Sequence, residues 1–228
     1  RAAHDTIGFK EGVLVYFRQI TSGSLGEHIY LLGADNSNEA VVIDPGETKP
    51  ALDALARDGK TCVAVLLTHG HFDHIGGVRA LKEQYGATVY IHEADAGMLQ
   101  SNRMSLAVLT GGLVKPVEAD VLLHGGETLE LAGLSLDVVH TPGHTKGGVC
   151  YVLKSDRKLF VGDTLFLEGA GRTDFPGGSE KELFHSIFDR LFSLEGEFDV
   201  YCGHKEETTL EHERQNNPFV QMGLRRGW

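Results

Sequence analysis

The stretch LLTHGHFDHIGG, residues 66–77, decides how this chain is interpreted. It begins in an apolar run, residues 61–67, which we predict to be a buried strand, and the run stops at Thr68. Four titratable side chains then follow within six residues: His69, His71, Asp73 and His74. Imidazole and carboxylate groups are the usual ligands of zinc and its divalent neighbours. This density of ligand types favours a metal site over an ordinary polar loop.

The backbone around this cluster can aim its side chains at one point. Alternate residues of an extended backbone face the same side, so His69 and His71 can point together. Asp73 and His74 come where the loop turns into a predicted helix, so they can be aimed separately. The neighbouring glycines allow tight turns and leave space for a substrate.

Further ligand-type residues follow other predicted strands. They are His144 in VVHTPGHTKGG (138–148), Asp163 in LFVGDTLF (159–166) and His204 in DVYCGH (199–204). Each follows an apolar run, and each has a glycine directly before it. Together with the first cluster they make five histidines and two aspartates. Seven such side chains suffice for two metal ions.

The apolar pattern predicts many strands and few helices. Strands are predicted at 13–20, 28–33, 40–43, 61–67, 88–92, 129–139, 149–153, 158–161 and 198–202. Helices are predicted at 49–58, 74–85 and 179–193, with Thr48 and Ser179 as N-caps of the first and the last. Two β-rich halves favour two sheets packed face to face with helices outside. No linker is evident, so we predict a single domain over 1–228.

Charge and composition argue against some classes of partner. The chain has 21 Lys and Arg against 32 Asp and Glu, a formal net charge of −11, which disfavours a nucleic-acid partner. It has no apolar stretch of about 18 residues, so no membrane partner is predicted. Three cysteines in apolar runs, Cys62, Cys150 and Cys202, favour reduced thiols and a cytoplasmic or organelle-matrix location. The chain begins at Arg1, which leaves open whether a targeting segment was removed.

Four motifs, in this order, resemble the metallo-β-lactamase superfamily: THGHFDH (68–74), HTPGHT (140–145), GDTLF (162–166) and YCGH (201–204). Within it they look like the glyoxalase II branch, the hydroxyacylglutathione hydrolases, over residues from about 24 to 217. VVIDPG at 41–46 is similar to an early motif of that family. Two later stretches are similar to a compact bacterial subgroup: GRTDFPGG (171–178) and ETTLEHERQNNPF (207–219).

The resemblance implies a fold and a set of ligands. The fold is an αββα sandwich of the α/β (α+β) class, with two mixed sheets face to face and the site at one edge between them. The implied ligands are His69, His71 and His144 for one divalent ion, Asp73, His74 and His204 for a second, and Asp163 as a bridge. Zinc is the first expectation, with iron or manganese as alternatives, since nitrogen and oxygen ligands accept all three.

The chemistry we expect is hydrolysis by a hydroxide that bridges the two ions, with Asp73 as the catalytic residue that holds it. No Ser-His-Asp or Cys-His nucleophile is evident in the sequence. No general acid stands out either, which suits a thiolate leaving group, since thiols have a pKa of about 8.5. The resemblance therefore implies a small-molecule thioester substrate similar to S-lactoylglutathione. An Asp stands where β-lactamases of the superfamily commonly use a Cys, which disfavours antibiotic hydrolysis.

The residues expected to bind substrate depart in part from the glyoxalase II pattern. Arg172 matches a basic glutathione-binding position, and the alternative is a salt bridge to Asp174 or Glu168. Asp174 and Glu206 stand where the family has tyrosines. Only 24 residues follow His204, so no C-terminal helical glutathione-binding domain is expected.

Several alternatives stay open. A mononuclear-iron persulfide dioxygenase of the same superfamily shares the HTPGHT and GRTDF motifs, and a lactonase, a nuclease or a non-catalytic metal-binding module are further alternatives.

Asp44 ends the predicted strand 40–43 and could either orient a ligand imidazole by a hydrogen bond or cap a turn. His92 could support the site or be structural. His140 is interpreted as a polar strand-end residue and not as a ligand, whereas His4, His28, His124, His185 and His212 have no motif partner. Monomer and homodimer are both open.

Overall fold

The structure, a computed structural model, describes residues 14–228. The first residue of the predicted strand 13–20, the unassigned His4 and the beginning of the predicted domain 1–228 lie outside the described residues. All candidate site residues lie within them.

The first sheet has six strands. They are β1 (Val15–Ser22), β2 (Glu27–Ala34), β3 (Glu39–Ile43), β4 (Thr61–Leu66), β5 (Thr88–His92) and β6 (Val121–Leu123), in this order across the sheet. β1 to β3 pair antiparallel, whereas β3 to β6 pair parallel. Parallel neighbours need long crossovers, which here contain helices. α1 (Thr48–Arg57) follows β3, and α2 (Phe72–Ile75) and α3 (Val78–Tyr85) follow β4.

The second sheet is also six-stranded and uses the later part of the chain. Its strands, in chain order, are β7 (Thr128–Leu131), β8 (Leu134–His140), β9 (Val149–Leu153), β10 (Lys158–Gly162), β13 (Asp199–Cys202) and β14 (Thr208–Thr209). Across the sheet the order is β14-β13-β10-β9-β8-β7, with β10 and β13 parallel. A small hairpin, β11 (Leu165–Phe166) and β12 (Gly169–Ala170), stands apart.

The remaining helices belong to the second half of the chain. α4 (Glu180–His185) continues as a π-helical segment, Ser186–Leu191, and α5 (Leu210–Asn216) and α6 (Pro218–Arg226) end the chain. Short 3-10 segments occupy Glu93–Gln100, Ala107–Thr110 and Lys154–Asp156. Of the described helices, none is both long and apolar enough to cross a membrane.

The two sheets pack face to face and each carries helices on its outer face. β2 shows the pattern, because its alternate side chains face opposite sides of the sheet. Tyr30 and Leu32 enter the core between the sheets, whereas Ile29 and Leu31 enter the layer beneath α1 and α3. α4 and its π-helical extension cover the second sheet through residues such as Leu183. The predicted αββα sandwich is therefore confirmed.

One predicted strand was wrong. The segment predicted as a single strand over 129–139 forms β7 and β8, which fold back on each other. Leu131 pairs with Leu134, so only the two residues Ala132 and Gly133 make the turn. Two-residue hairpin turns need left-handed backbone, which Ala132 adopts with φ of 49°. The prediction continued the strand through Ala132, which is as apolar as its neighbours, and did not use Gly133, with φ of 75°, as a turn signal. The other predicted strands match observed ones to within two residues.

One predicted helix is also interrupted. The segment 74–85 is not continuous, since α2 ends at Ile75 and α3 begins at Val78. Here the chain passes very close to the loop after β3, and the Gly77 amide donates a 2.6 Å hydrogen bond to the carbonyl of Pro45. That contact competes with helical hydrogen bonding and separates the two helices.

The predicted N-caps had opposite outcomes. α1 begins at Thr48 itself, its N-cap is Glu47, and no side chain caps it, so the Thr48 prediction was wrong. Ser179 does cap α4, and its hydroxyl accepts a 3.3 Å hydrogen bond from the Glu182 amide. This bond satisfies one of the free amides in the first turn of the helix.

Candidate metal centre

The predicted ligands lie on loops that leave several strands at one edge of the sandwich. In the first sheet β3 and β4 are parallel neighbours, so Asp44 and Thr68 come out side by side. In the second sheet β10 and β13 are parallel neighbours, which places Asp163 beside His204. His144 comes from the loop between β8 and β9. Strand direction thus brings together residues that are far apart in sequence.

Three imidazoles form one group. His69, His71 and His144 are all buried, and one ligand nitrogen from each lies within 4.8 Å of the other two. The Nδ1 atom of His71 is 3.0 Å from the Nε2 atom of His144. Nitrogens held this close can share one tetrahedral ion.

A carboxylate and two imidazoles form the second group. Ligand atoms of Asp73, His74 and His204 also lie within 4.8 Å of one another. Oδ2 of Asp73 is 3.2 Å from Nε2 of His204 and 3.8 Å from Nε2 of His74.

The carboxylate of Asp163 lies between the two groups. Its Oδ2 atom is 3.6 Å from Nε2 of His144 in the first group and 3.6 Å from Nε2 of His204 in the second. Its Oδ1 atom is 3.5 Å from Nε2 of His74. One carboxylate therefore faces both groups, as a bridging ligand would.

Three buried atoms of this cluster lack any hydrogen-bond partner: Nε2 of His69, Nε2 of His74 and Oδ1 of Asp163. Buried polar atoms are nearly always paired, because an unpaired one costs about 1–3 kcal/mol. The free atoms all belong to the predicted ligands, and a divalent cation would satisfy them together. The side chains thus fit a metal pair.

The second nitrogen of four of these rings is occupied, which leaves Nε2 for the centre. The Nδ1 contacts are Thr68 Oγ1 for His69 at 3.1 Å, Asp44 Oδ2 for His74 at 3.0 Å, the Arg172 carbonyl for His144 at 2.8 Å and the Leu25 carbonyl for His204 at 3.2 Å. Such contacts fix the tautomer and orientation of a metal-binding imidazole. Asp44 also accepts bonds from the Thr68 amide and hydroxyl at 2.8 and 2.5 Å, so its carboxylate holds the loop as well as the ring.

The electrostatics separate the histidines into two kinds. Burial and the neighbouring imidazoles lower the pKa of His71 to about 3, and they hold the pKa of His69 far below its usual value. Burial also acts to lower the pKa of His74, but the carboxylates of Asp163, Asp73 and Asp44 outweigh it and raise that pKa to about 10. The pKa of Asp73 is depressed, because its attraction to His74 and His204 exceeds the effect of burial. Burial thus dominates at His69 and His71, whereas the carboxylates dominate at His74.

A sequence profile of the metallo-beta-lactamase superfamily matches residues 23–204. The chain belongs to the metallo-beta-lactamase superfamily. Members of this superfamily bind divalent metals, and their hydrolases act on small molecules. The resemblance expected from the four motifs is confirmed.

Relatives of this superfamily member cover most of its length. Hydroxyacylglutathione hydrolase GloC of Haemophilus influenzae is 32% identical over 193 residues, which are 82% of this chain and 89% of GloC. The crystal structure of BLEG-1, a B3 metallo-beta-lactamase, is 36% identical with a TM-score of 0.85, covering 90% of this chain and 99% of BLEG-1. TTHA1623, solved in a di-iron-bound form, is 37% identical with a TM-score of 0.78, and the match covers 89% of this chain and 99% of the TTHA1623 chain.

Arg172 does not extend freely into the site of this superfamily member. Its guanidinium binds both carboxylate oxygens of Asp174 at 2.7 Å and lies 3.8 Å from the centroid of the Phe175 ring. The alternative of a salt bridge to Asp174 is therefore what the structure shows. Pairing with Glu168 is not observed, since the carboxylate of Glu168 contacts His212 at 3.0 Å.

The other described histidines lie outside the two ligand groups. His92 stacks on His140 with ring centroids 4.1 Å apart, so neither contacts the centre in the way a second-shell His92 would require. His28 contacts the carbonyl of Cys202 at 3.2 Å. His124 and His185 face carboxylates at the surface.

Sequence reasoning missed Asp95, which is fully buried at 0% exposure. Its carboxylate accepts hydrogen bonds from the Gly147 amide at 2.8 Å and the Gly70 amide at 3.3 Å. Gly70 stands between His69 and His71, so one carboxylate ties together the two loops that carry the three-histidine group. A Cβ on Gly147 would lie 2.7 Å from the same carboxylate. The available signal was an acidic residue shortly after an apolar strand.

A cavity of about 910 Å³ opens directly onto the centre. Its floor is formed by five of the predicted ligands: His71, Asp73, His144, Asp163 and His204. Its walls include Leu25, Leu106, Leu109, Phe166 and Phe175. A substrate can therefore reach the ligand cluster from solvent along mostly apolar walls.

Proposed function

We propose that this protein is a dinuclear metallohydrolase that cleaves a small-molecule thioester, with hydroxyacylglutathione-type thioesters as the first candidate substrates. The observation that carries the proposal is the position of Asp163, whose Oδ2 is 3.6 Å from an imidazole of each ligand group. This carboxylate could also serve one ion alone, but the second ligand group on its other side, Asp73, His74 and His204, supports a second ion. We expect such an enzyme in the cytoplasm.

The proposed metal ligands follow the two groups and the carboxylate between them. They are His69, His71 and His144 for one ion, Asp73, His74 and His204 for the other, and Asp163 for both. Zinc is proposed first, with iron and manganese as alternatives, because all seven ligands offer nitrogen or oxygen. When bound, the ion pair would lower the pKa of a water molecule and polarise the scissile carbonyl.

In this proposal Asp73 is the catalytic residue. Its carboxylate is ionised because its pKa is depressed, and it lines the cavity floor. From there it can accept a hydrogen bond from the attacking water and orient it towards the carbonyl carbon. Asp44 positions the His74 ring through its Nδ1 atom. Asp73 thus acts on the water, whereas Asp44 acts only through another residue.

The leaving group favours a thioester over an amide. Water adds its oxygen to the carbonyl carbon, the carbon–sulfur bond breaks, and the products are a carboxylic acid and a thiol. A thiolate leaves without prior protonation because thiols have a pKa of about 8.5, whereas an amine must be protonated to leave. The imidazoles of the centre are assigned to the metals and are not free to supply that proton. The similarity to the Haemophilus influenzae hydroxyacylglutathione hydrolase supports this substrate class.

β-Lactam hydrolysis is a second candidate, because the chain is 36% identical to a B3 metallo-beta-lactamase over nearly all of that protein. One experiment separates it, and the mononuclear-iron dioxygenase, from the proposal. The metal content of the purified protein is measured first. The protein is then assayed for hydrolysis of S-lactoylglutathione and of a β-lactam, and an oxygen electrode measures oxygen uptake with glutathione persulfide.

We expect two divalent ions per chain and turnover of the thioester above the other two compounds. One iron per chain with oxygen uptake would instead identify a persulfide dioxygenase. Faster turnover of the β-lactam would identify an antibiotic hydrolase.

A further inference from the structure

We propose that the substrate carries a hydrophobic arm beside its scissile thioester, and that this arm binds an apolar rim formed by Leu25, Leu106, Leu109 and Phe166. This inference rests on the proposed thioester hydrolysis and names the substrate class of the same site.

The apolar rim belongs to the cavity that opens onto the metal centre. Leu25 comes from the turn between β1 and β2, and Phe166 from the β11–β12 hairpin. Leu106 and Leu109 come from the segment around the 3-10 turn Ala107–Thr110. Three separate parts of the chain thus place apolar side chains around one opening. The cavity volume of about 910 Å³ is several times that of a lactoyl group, so there is room for a longer arm.

Two of the four rim side chains are exposed to solvent, whereas Phe166 is 7% exposed. Leu25 is 53% exposed and Leu109 is 65% exposed. Leu113, four residues along the chain from Leu109, is 83% exposed as well. Contiguous exposed apolar surface beside a cavity is typical of binding sites, because covering it removes it from water. Its continuity with the ligand cluster favours the substrate as the occupant.

The charges at the same opening do not favour an anionic arm. Arg172 is held by both oxygens of Asp174 at 2.7 Å, which neutralises its charge. Lys205 lies 5.3 Å from the centroid of the Phe166 ring and is followed directly by Glu206. The chain as a whole has a net charge of −11, which repels anions. A neutral alkyl arm therefore fits the apolar rim better than an anionic arm does.

The arm can be attached on either side of the thioester, and the experiment distinguishes the two. Zinc-reconstituted full-length protein is assayed with S-acetyl- and S-octanoyl-N-acetylcysteamine, which vary the acyl side. It is then assayed with S-ethyl and S-hexyl thioacetate, which vary the thiol side. We expect kcat/KM to rise by about tenfold or more with chain length in one of the two series, since each buried methylene strengthens binding by roughly a few-fold. Equal kcat/KM within both series would overturn the inference.

Variants of the apolar rim provide the second test. L25S and L109S should each lower the long-to-short ratio of kcat/KM severalfold in the series that shows it. L224S is the matched control, because Leu224 is 45% exposed on α6 and does not line the cavity, so the ratio should not change. Circular dichroism and thermal melting verify that each variant folds. Folded L25S and L109S proteins with the wild-type ratio would contradict the assignment.

The outcomes separate the inference from the function on which it rests. If the zinc-loaded protein hydrolyses no thioester, the proposed function itself is wrong. If it hydrolyses short and long thioesters equally, only the apolar rim is wrongly assigned. If L109S converts a dimer to a monomer and leaves the chain-length ratio intact, the rim is a contact between copies of this chain, and the inference is overturned.

Discussion

At the scale of residues, the centre combines atoms that no protein would bury together without a ligand. His69, His74 and Asp163 each leave a buried polar atom without a partner. The other nitrogen of such a ring is held by a neighbour, as Nδ1 of His74 is held by Asp44. The ring therefore cannot rotate to give its free nitrogen another partner. These unpaired atoms lower the stability of the fold, and the same arrangement leaves a site preformed for a cation, as is common at functional centres.

Asp163 is the residue that links the two ligand groups. D163N keeps the size of the side chain but removes its charge, so we expect the metal content to fall from two ions per chain to one or fewer. The kcat/KM for the thioester should fall by at least about 100-fold. Metal analysis and steady-state kinetics measure both quantities. D53N is the control, since Asp53 is an exposed residue on α1 that pairs with Lys49. Two bound metals in D163N would contradict the bridging role.

Asp95 acts through the loops that it joins. D95A removes the acceptor for the Gly70 and Gly147 amides, so we expect metal affinity to fall by about 10- to 100-fold. Competition with a chromophoric chelator measures the affinity. G147A should act in the same direction, because its Cβ would lie 2.7 Å from the Asp95 carboxylate. Wild-type metal affinity in a folded D95A protein would show that the hydrogen bonds to Asp95 are not needed to hold the two loops.

The cysteines give a test that does not involve the metals. Burial raises the pKa of Cys62 and of Cys150 to about 12, and Cys202 is buried as well. A raised pKa keeps the thiol protonated at pH 8, and only the thiolate reacts. We expect no labelling of the folded protein by Ellman's reagent at pH 8 and labelling of three thiols in guanidinium chloride. Rapid labelling of the folded protein would show that a thiol is accessible.

At the scale of elements, the loops after parallel strands carry the chemistry and also explain where sequence reasoning failed. The break between α2 and α3 is the clearest case, because helix propensity alone favours continuing through 74–85. The helix is interrupted because the loop after β3 passes so close to it that α2 and α3 are separated at this point. Pro45 and Gly77, which form this contact, are 32 residues apart in sequence, so no local pattern reports it.

The close approach at this break can be tested directly. A Cβ on Gly76 would lie 2.2 Å from the carbonyl oxygen of Gly46, so G76A must displace backbone. We expect the free energy of unfolding to fall by about 1–3 kcal/mol, as measured by urea denaturation. G169A is the control, since its Cβ would make only an ordinary contact of 3.7 Å with the Leu167 carbonyl. Equal stability of G76A and G169A would show that the loop relaxes freely.

At the scale of the whole molecule, the two sheets depend on the centre at their common edge. The first sheet supplies the cluster after β4, and the second supplies His144, Asp163 and His204. Cations held between them would therefore connect the two halves of the sandwich. Ligands that bind only the folded state stabilise it by mass action.

Metal removal should destabilise the protein as a whole. At free metal 100-fold above its dissociation constant, each bound ion stabilises the fold by about 2.7 kcal/mol. We expect dialysis against EDTA to lower the melting temperature by several degrees or more, and addition of zinc to restore it. Differential scanning calorimetry makes the measurement. An unchanged melting temperature, with metal loss verified by elemental analysis, would contradict this coupling between the halves.

The sequence by itself was enough to predict the sandwich, most of its strands and the seven ligand-type residues, whereas the short strands β6, β11, β12 and β14 were not predicted. These follow from local chemistry: apolar runs make strands, and a ligand residue with a glycine directly before it shows where a strand ends. The divided helix was not predictable, because the break depends on a distant loop, whereas Gly133 was a local signal for the turn that the strand prediction did not use.

Only the tertiary structure decided how the parts of the site meet. It placed Asp163 between the two groups, engaged Arg172 with Asp174, and brought Asp95 to both ligand loops. It also gathered Leu25 and Leu109 around one opening, although more than 80 residues separate them. These are long-range contacts, and they arise from the packing of two sheets, not from any local pattern. The residue types that do chemistry are therefore legible in the sequence, whereas their partners are set by the fold.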